Sequence, residues 1–354
     1  MSHVHDHHDL DRDHDDHDDH EAHHHEHPKG LKGVLLGILR PHSHDAADSV
    51  DSALEASSEG IRALKISLVV LLVTALAQLG VVLVTGSVAL LADTIHNFSD
   101  ALTALPLWFA FALARRAPTR RYTYGYGRAE DLAGIFIVAM IALSAVVAGW
   151  ESVGRLLDPR PITHLWTVLA AGILGFLGNE AVAVYRIRVG RKIGSAALVA
   201  DGLHARTDGF TSLAVAAGAI GVMAGYPLAD PIVGLLITVA ILVVLRGAAR
   251  EIYRRLMDAV EPELVDAAEA TVRDAPGVLE VESIRLRWIG HRLRAEVGLV
   301  VDSNLSVWDG HAVAVEAKHR LLHRIEKLDD ATIHVSPSPA EGRDPHAGLA
   351  HHTR

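Results

Sequence analysis

Residues 86–105 read GSVALLADTIHNFSDALTAL and residues 194–213 read GSAALVADGLHARTDGFTSL, identical at ten of twenty positions at a constant offset of 108 residues. A shared bias toward small apolar residues explains the Ala and Leu matches. It does not explain Asp93 against Asp201, His96 against His204, or Asp100 against Asp208. These are ionisable groups inside apolar runs, where a bilayer imposes about 3 kcal/mol or more on each unless it is solvated or paired. The His-x-x-x-Asp spacing is i to i+4, which sets imidazole and carboxylate on one helical face, one turn apart. Each copy therefore offers two metal ligands, His96 with Asp100 and His204 with Asp208.

Outward from the repeat, six apolar stretches come near the ~20 residues needed to cross a bilayer: residues 64–86, 87–114, 129–153, 164–185, 195–225 and 227–247. Basic clusters follow the second (Arg115, Arg116, Arg120, Arg121), the fourth (Arg186, Arg188, Arg191) and the sixth (Arg246, Arg250, Arg254). The positive-inside rule then expects a multi-pass protein of the cell membrane with both termini in the cytoplasm. The two motif helices run antiparallel, and each His falls nine residues beyond its serine, Ser87 or Ser195. At ~1.5 Å per residue this is roughly 14 Å, half of a ~30 Å core entered from opposite sides, so both pairs reach the midplane.

Two imidazoles and two carboxylates there make a four-ligand site suited to zinc, with cobalt or cadmium as close alternatives. Iron and manganese stay open as cargo, because such a cage discriminates mainly by geometry and supply. The chain has no cysteine, which excludes thiolate sites, disulfides and thiol catalysis. Two carboxylates balance one divalent ion, so the loaded site carries no large net charge into low dielectric. Two buried His–Asp pairs holding helices together are the structural alternative. A membrane hydrolase is disfavoured, since no His-Glu-x-x-His pattern occurs and four protein ligands leave no place for a catalytic water. The metal is cargo, and no resident cofactor is expected. Asp93 and Asp201 lie near the same face as the histidines and are candidates for a proton or hydration pathway, with helix–helix hydrogen bonding as the alternative. Gly86 and Gly194 are read as helix starts with Ser87 and Ser195 as caps, and Glu180 is placed near the aqueous end beside Arg186.

The ends of the chain differ from this body. Residues 1–60 form an arm, expected to be disordered, whose first 28 residues alternate His with Asp and Glu and offer many weak ligands for borderline metals. Residues 61–257 hold the six-helix membrane domain. In 258–337 charges return and the pattern shortens to helix 263–274, strand 277–287, strand 291–301, helix 306–326 and strand 330–335. That order, αββαβ, describes a small ferredoxin-like α+β domain in the cytoplasm, and 338–354 is a tail. The fold class is thus a membrane all-α body with an appended α+β domain. Half the residues are hydrophobic and 21% are charged, and the net charge of −10 is concentrated near the N-terminus. No basic, aromatic-interleaved surface suggests a nucleic-acid partner, and no apolar run behind a basic start suggests a signal peptide.

The motifs ADTIHNFSD and ADGLHARTD, the loop YGYGRAEDLAG at 124–134 and ADPIVG at 229–234 resemble the cation diffusion facilitators, over residues 62–337. The resemblance implies a cation–proton antiporter that works as a homodimer, with alternating access of the midplane site and a metallochaperone-like cytoplasmic domain. It also marks departures. Tyr122 and Tyr126 stand where some relatives carry histidines of a second site, so that site is not expected. His311 and His334 align with ligands of a cytoplasmic site, but Val297 and Ser336 replace its other ligands, leaving at most a weak site. A non-transporting metal sensor or partner subunit is the remaining alternative, and the completeness of both motifs favours transport.

Overall fold

The computed structural model describes residues 46–85, 104–158, 165–339, 347–349 and 351–352. Its helical body consists of α1 (Ala46–Thr85), α2 (Ala104–Ala114), α3 (Arg128–Leu157), α4 (Leu165–Ile193), α5 (Ala196–Met223) and α6 (Ala229–Leu256). The C-terminal domain adds α7 (Pro262–Arg273), β1 (Glu280–Ile289), β2 (Arg292–Val301), α8 (Val307–Arg324) and β3 (Leu328–Pro337). Helix α1 starts well before the apolar run at 64, so part of the segment read as a disordered arm is helical. The reason is local: this stretch is rich in Ala, Ser and Glu, and Ser57 and Gly60 are buried.

Among the described residues four helices are long and apolar enough to cross a membrane: Glu55–Gly80 within α1, then α3, α4 and α6. Helix α5 equals them in length at 28 residues, but Asp201, Arg206 and Asp208 interrupt its apolar sequence. Of the second expected span only the end, α2, lies within the described residues. The count of six spans thus meets four that qualify on hydropathy among the described residues, and the shortfall falls on the two that carry the motif.

The body's core mixes alanines with large residues such as Leu107, Phe111, Ile137 and Ile241, and many other large apolar residues face outward. Ala104, Ala110, Ala133, Ala197, Ala200 and Ala248 are buried in its core, while Phe109, Leu132, Trp150, Trp166 and Val243 are exposed. The outward-facing large apolar groups fit lipid, where close packing of small residues holds helices together. The α4–α5 hairpin shows the packing best. A Cβ on Gly202 would stand 3.0 Å from the Ile187 nitrogen, one on Gly190 would stand 2.9 Å from the Val199 nitrogen, and one on Gly172 would stand 2.8 Å from the Ser212 carbonyl. The two backbones therefore touch along much of their length.

In the C-terminal domain β1 pairs antiparallel with β2, and β2 pairs parallel with β3, giving the order β1-β2-β3. The parallel pair requires a crossover, which α8 supplies. Val272 of α7 and Ala317 and Leu321 of α8 close over Leu286, Trp288, Leu293 and Leu299 of the sheet. The expected elements appear in the expected order, with boundaries shifted by up to three residues.

Candidate metal centre

Helix α5 is positioned from its first turn. Gly194 takes φ +78°, a conformation that only glycine adopts freely, and lets α4 reverse into α5. Ser195 is the N-cap, and its hydroxyl accepts the Leu198 N–H at 3.1 Å. The cap fixes the start, and the glycine seam with α4 fixes the rotation. Gly86 and Ser87, read as the equivalent start, lie outside the described residues.

On this helix His204 and Asp208 are both buried, at 2% and 4% exposure. The His204 Nδ1 and an Asp208 carboxylate oxygen stand 3.8 Å apart, beyond a hydrogen bond but within ion-pair reach. Thr207 donates its hydroxyl to the His204 carbonyl at 2.7 Å. The other half of the expected cage, His96 and Asp100, lies outside the described residues, as does Asp93. Among the described residues no three His, Asp or Glu side chains gather as a metal site.

Asp201, one turn from His204 toward the C-terminal domain, forms a fully buried ion pair with Arg186 of α4, Nη1 to Oδ2 at 2.8 Å. Glu180, read only as lying near Arg186, pairs with Arg206 of α5, through Nε at 3.1 Å and Nη2 at 2.6 Å. The helical wheel explains both: α4 and α5 run antiparallel, so residues late in α4 meet residues early in α5. A cavity of about 540 Å³ opens where this hairpin meets the C-terminal domain, lined among others by Ser195, Leu203, Glu251, Glu261 and Lys327. It reaches the residue next to His204.

A second buried histidine carries no distinguishing signal in the sequence. His291, at the tip of the β1–β2 hairpin, places Nδ1 2.8 Å from Glu130 of α3, with side chains 2% and 1% exposed. Its Nε2 lies 3.4 Å from the Ser57 hydroxyl of α1. Gly290 beside it has φ +61° and donates its N–H to Asp131 at 3.4 Å. Arg128 binds Asp131 at 3.3 Å, the Arg255 carbonyl at 3.3 Å and Asp258 at 2.5 Å, and Arg255 stacks 4.1 Å over Trp288. The segment YGYGRAEDLAG is therefore the seat of the C-terminal domain. In the sequence its acids stand out only through the resemblance, because no spacing rule links Glu130 to a histidine 161 residues away.

His311 sits on α8 and His334 on β3, both exposed. Val297 is buried in the domain core, and Ser336 donates its hydroxyl to Glu282 at 3.0 Å. Tyr122 and Tyr126 rest against each other at 4.9 Å between ring centres.

Set beside known proteins, the chain matches the cation efflux transmembrane domain over residues 64–257 and the cytoplasmic domain of cation efflux proteins over residues 260–338. It belongs to the cation efflux family of membrane transporters, the cation diffusion facilitators. A Mycobacterium tuberculosis relative named "Probable cation efflux system protein Rv2025c" is 62% identical over 301 residues, 85% of this chain and 91% of the relative. The magnetosome protein MamB of Magnetospirillum gryphiswaldense is 26% identical over 73% of this chain and 87% of its own length. The manganese efflux system protein MneP of Bacillus subtilis is 25% identical over 77% and 95%.

Proposed function

We propose that this chain exports a divalent cation from the cytoplasm in exchange for protons, with zinc as the favoured cargo. His204 and Asp208 supply half of a midplane cage, and His96 and Asp100 supply the other half. The observation that carries the reading is the placement of His204 and Asp208, buried side by side at 3.8 Å in a helix of a membrane body. Two ligands of one tetrahedral zinc ion, each at ~2.1 Å, stand roughly 3.4 Å apart, so this pair needs only a small adjustment to share an ion. The cavity beside Leu203 supports entry from the side of the C-terminal domain.

Proton exchange follows from ligand chemistry. Neutral imidazole binds metal and imidazolium does not, so protons arriving from the far side favour release. The ion pair with Arg186 favours a clamp between α4 and α5 for Asp201 over a place in a proton or hydration pathway, a role still open for Asp93. The transporter works as a homodimer in the cell membrane with both termini cytoplasmic, a reading supported by the basic clusters and by the matched family domains.

Purified protein in proteoliposomes, tested against zinc, cobalt, cadmium, iron and manganese with and without a pH gradient, decides the matter. Zinc flux that follows the gradient and disappears in His204→Ala and Asp208→Ala is expected. Undiminished zinc flux in both variants overturns the site, and flux indifferent to the gradient overturns the exchange. Manganese outrunning zinc transfers the cargo to the ion that the Bacillus subtilis relative is named for.

A further inference from the structure

On one helix of the C-terminal domain two imidazoles meet that the resemblance does not implicate. His319 and His323 lie one turn apart on α8, their ring centres 4.4 Å apart and the planes inclined at 71°. Both are exposed. The i to i+4 spacing is the one by which a single helix presents two imidazoles to one metal ion.

The surrounding charges leave this pair open. Lys318 is drawn to Asp330 at 2.7 Å, away from the histidines. Arg320 is held by Glu316 at 2.7 Å and by the Asp274 carbonyl at 3.0 Å. Arg324 and Glu326, which follow His323, carry opposite charges. The helix beneath is anchored by Ala317 and Leu321 in the domain core, so the backbone presenting the two rings is fixed. Val315, one turn before His319, is exposed on the same face and adds no competing charge.

The geometry points to His319 and His323 as a bidentate site for a borderline divalent cation such as zinc, separate from the membrane site. Two neutral imidazoles with water completing the shell bind such ions and neglect magnesium, which requires oxygen ligands. A bound ion ties two successive turns of α8 together and closes their local opening.

Hydrogen–deuterium exchange of the full-length protein reads this locally, apart from any metal held elsewhere in the chain. With zinc at ten times its dissociation constant, amides in the last two turns of α8 should exchange about tenfold more slowly, because binding suppresses opening in that proportion. Magnesium should have no effect. His319→Gln and His323→Gln should each abolish the zinc effect while matching the metal-free exchange of the parent. His204→Ala should leave it intact, which separates this site from the membrane site. Exchange of α8 indifferent to zinc in the parent, slowing retained in both glutamine variants, or slowing lost in His204→Ala each overturns the assignment.

Discussion

Among the described residues stand two buried histidine–carboxylate pairs, and they are built to opposite ends. His204 and Asp208 share one helix, and their facing atoms stay 3.8 Å apart. His291 and Glu130 come from different domains and close to 2.8 Å. In the second pair the imidazole nitrogen is committed to its carboxylate, so no ion fits between them. In the first, the helical backbone sets a separation near that of two ligands on one ion. The same two side-chain types thus serve as a docking contact where the fold lets them meet and as a candidate ligand pair where it holds them apart.

The largest effects should come from breaking each pair in turn. His204→Ala or Asp208→Ala should lower flux by about 100-fold or more, since even the loss of a residue that only supports a ligand costs 10–100-fold in metal affinity. His291→Ala should instead act on stability, by about 3–5 kcal/mol, because Glu130 is left buried without its partner. Thermal unfolding together with equilibrium metal binding separates the two. Should His291→Ala abolish metal binding while His204→Ala only destabilises, the contrast is wrong.

Arg186→Met tests whether the clamp next to the site resembles the second pair. It should destabilise by about 3–5 kcal/mol through the stranded Asp201, and the double change Arg186→Met with Asp201→Asn should restore most of the loss. A double variant as unstable as the single one shows that the pair does more than balance charge. A smaller effect is expected from Gly290→Ala, about 2 kcal/mol, because alanine is strained at φ +61° and its Cβ would stand 2.7 Å from the Gly127 carbonyl. Limited proteolysis between the domains should accelerate in that variant.

The smallest effect concerns Asp330 on the domain surface. Burial pulls its carboxyl upward, but the hydrogen bond and charge of Lys318, with Arg294 and the Ala331 N–H, outweigh this and hold it below its usual value of 3.8. A carboxyl depressed on folding contributes stability above its unfolded value, and that contribution is lost as pH falls through the folded one. Lys318→Met should remove this acid-side slope, worth about 0.3 kcal/mol for so exposed a pair. Unfolding midpoints compared between pH 6 and pH 3 measure it.

The periodic features of this fold were legible in the sequence. The repeat announced itself through identical ionisable residues, and the αββαβ order followed from the shortening of the hydrophobic pattern after residue 257. Contacts between distant segments were not legible. His291 looks in sequence like an ordinary hairpin residue beside a glycine, and only the close approach of Gly127 and Gly290 seats it against Glu130. The partner of Glu180 is one such contact, because linear proximity to Arg186 says nothing about the antiparallel neighbour that brings Arg206 opposite. The start of α1 was missed for a related reason: a polar helix that packs through Ser57 and Gly60 carries no apolar signature.

The glycine seam between α4 and α5 also has a genetic side. Any single-base change that alters the meaning of a glycine codon either adds side-chain atoms or ends the chain. At Gly172, Gly190 and Gly202 even the smallest addition, a methyl group, meets the neighbouring backbone at 3.0 Å or less. This hairpin, which carries half of the proposed cation site, should therefore be among the stretches of the gene least able to drift, quite apart from the chemistry of its histidine and aspartates.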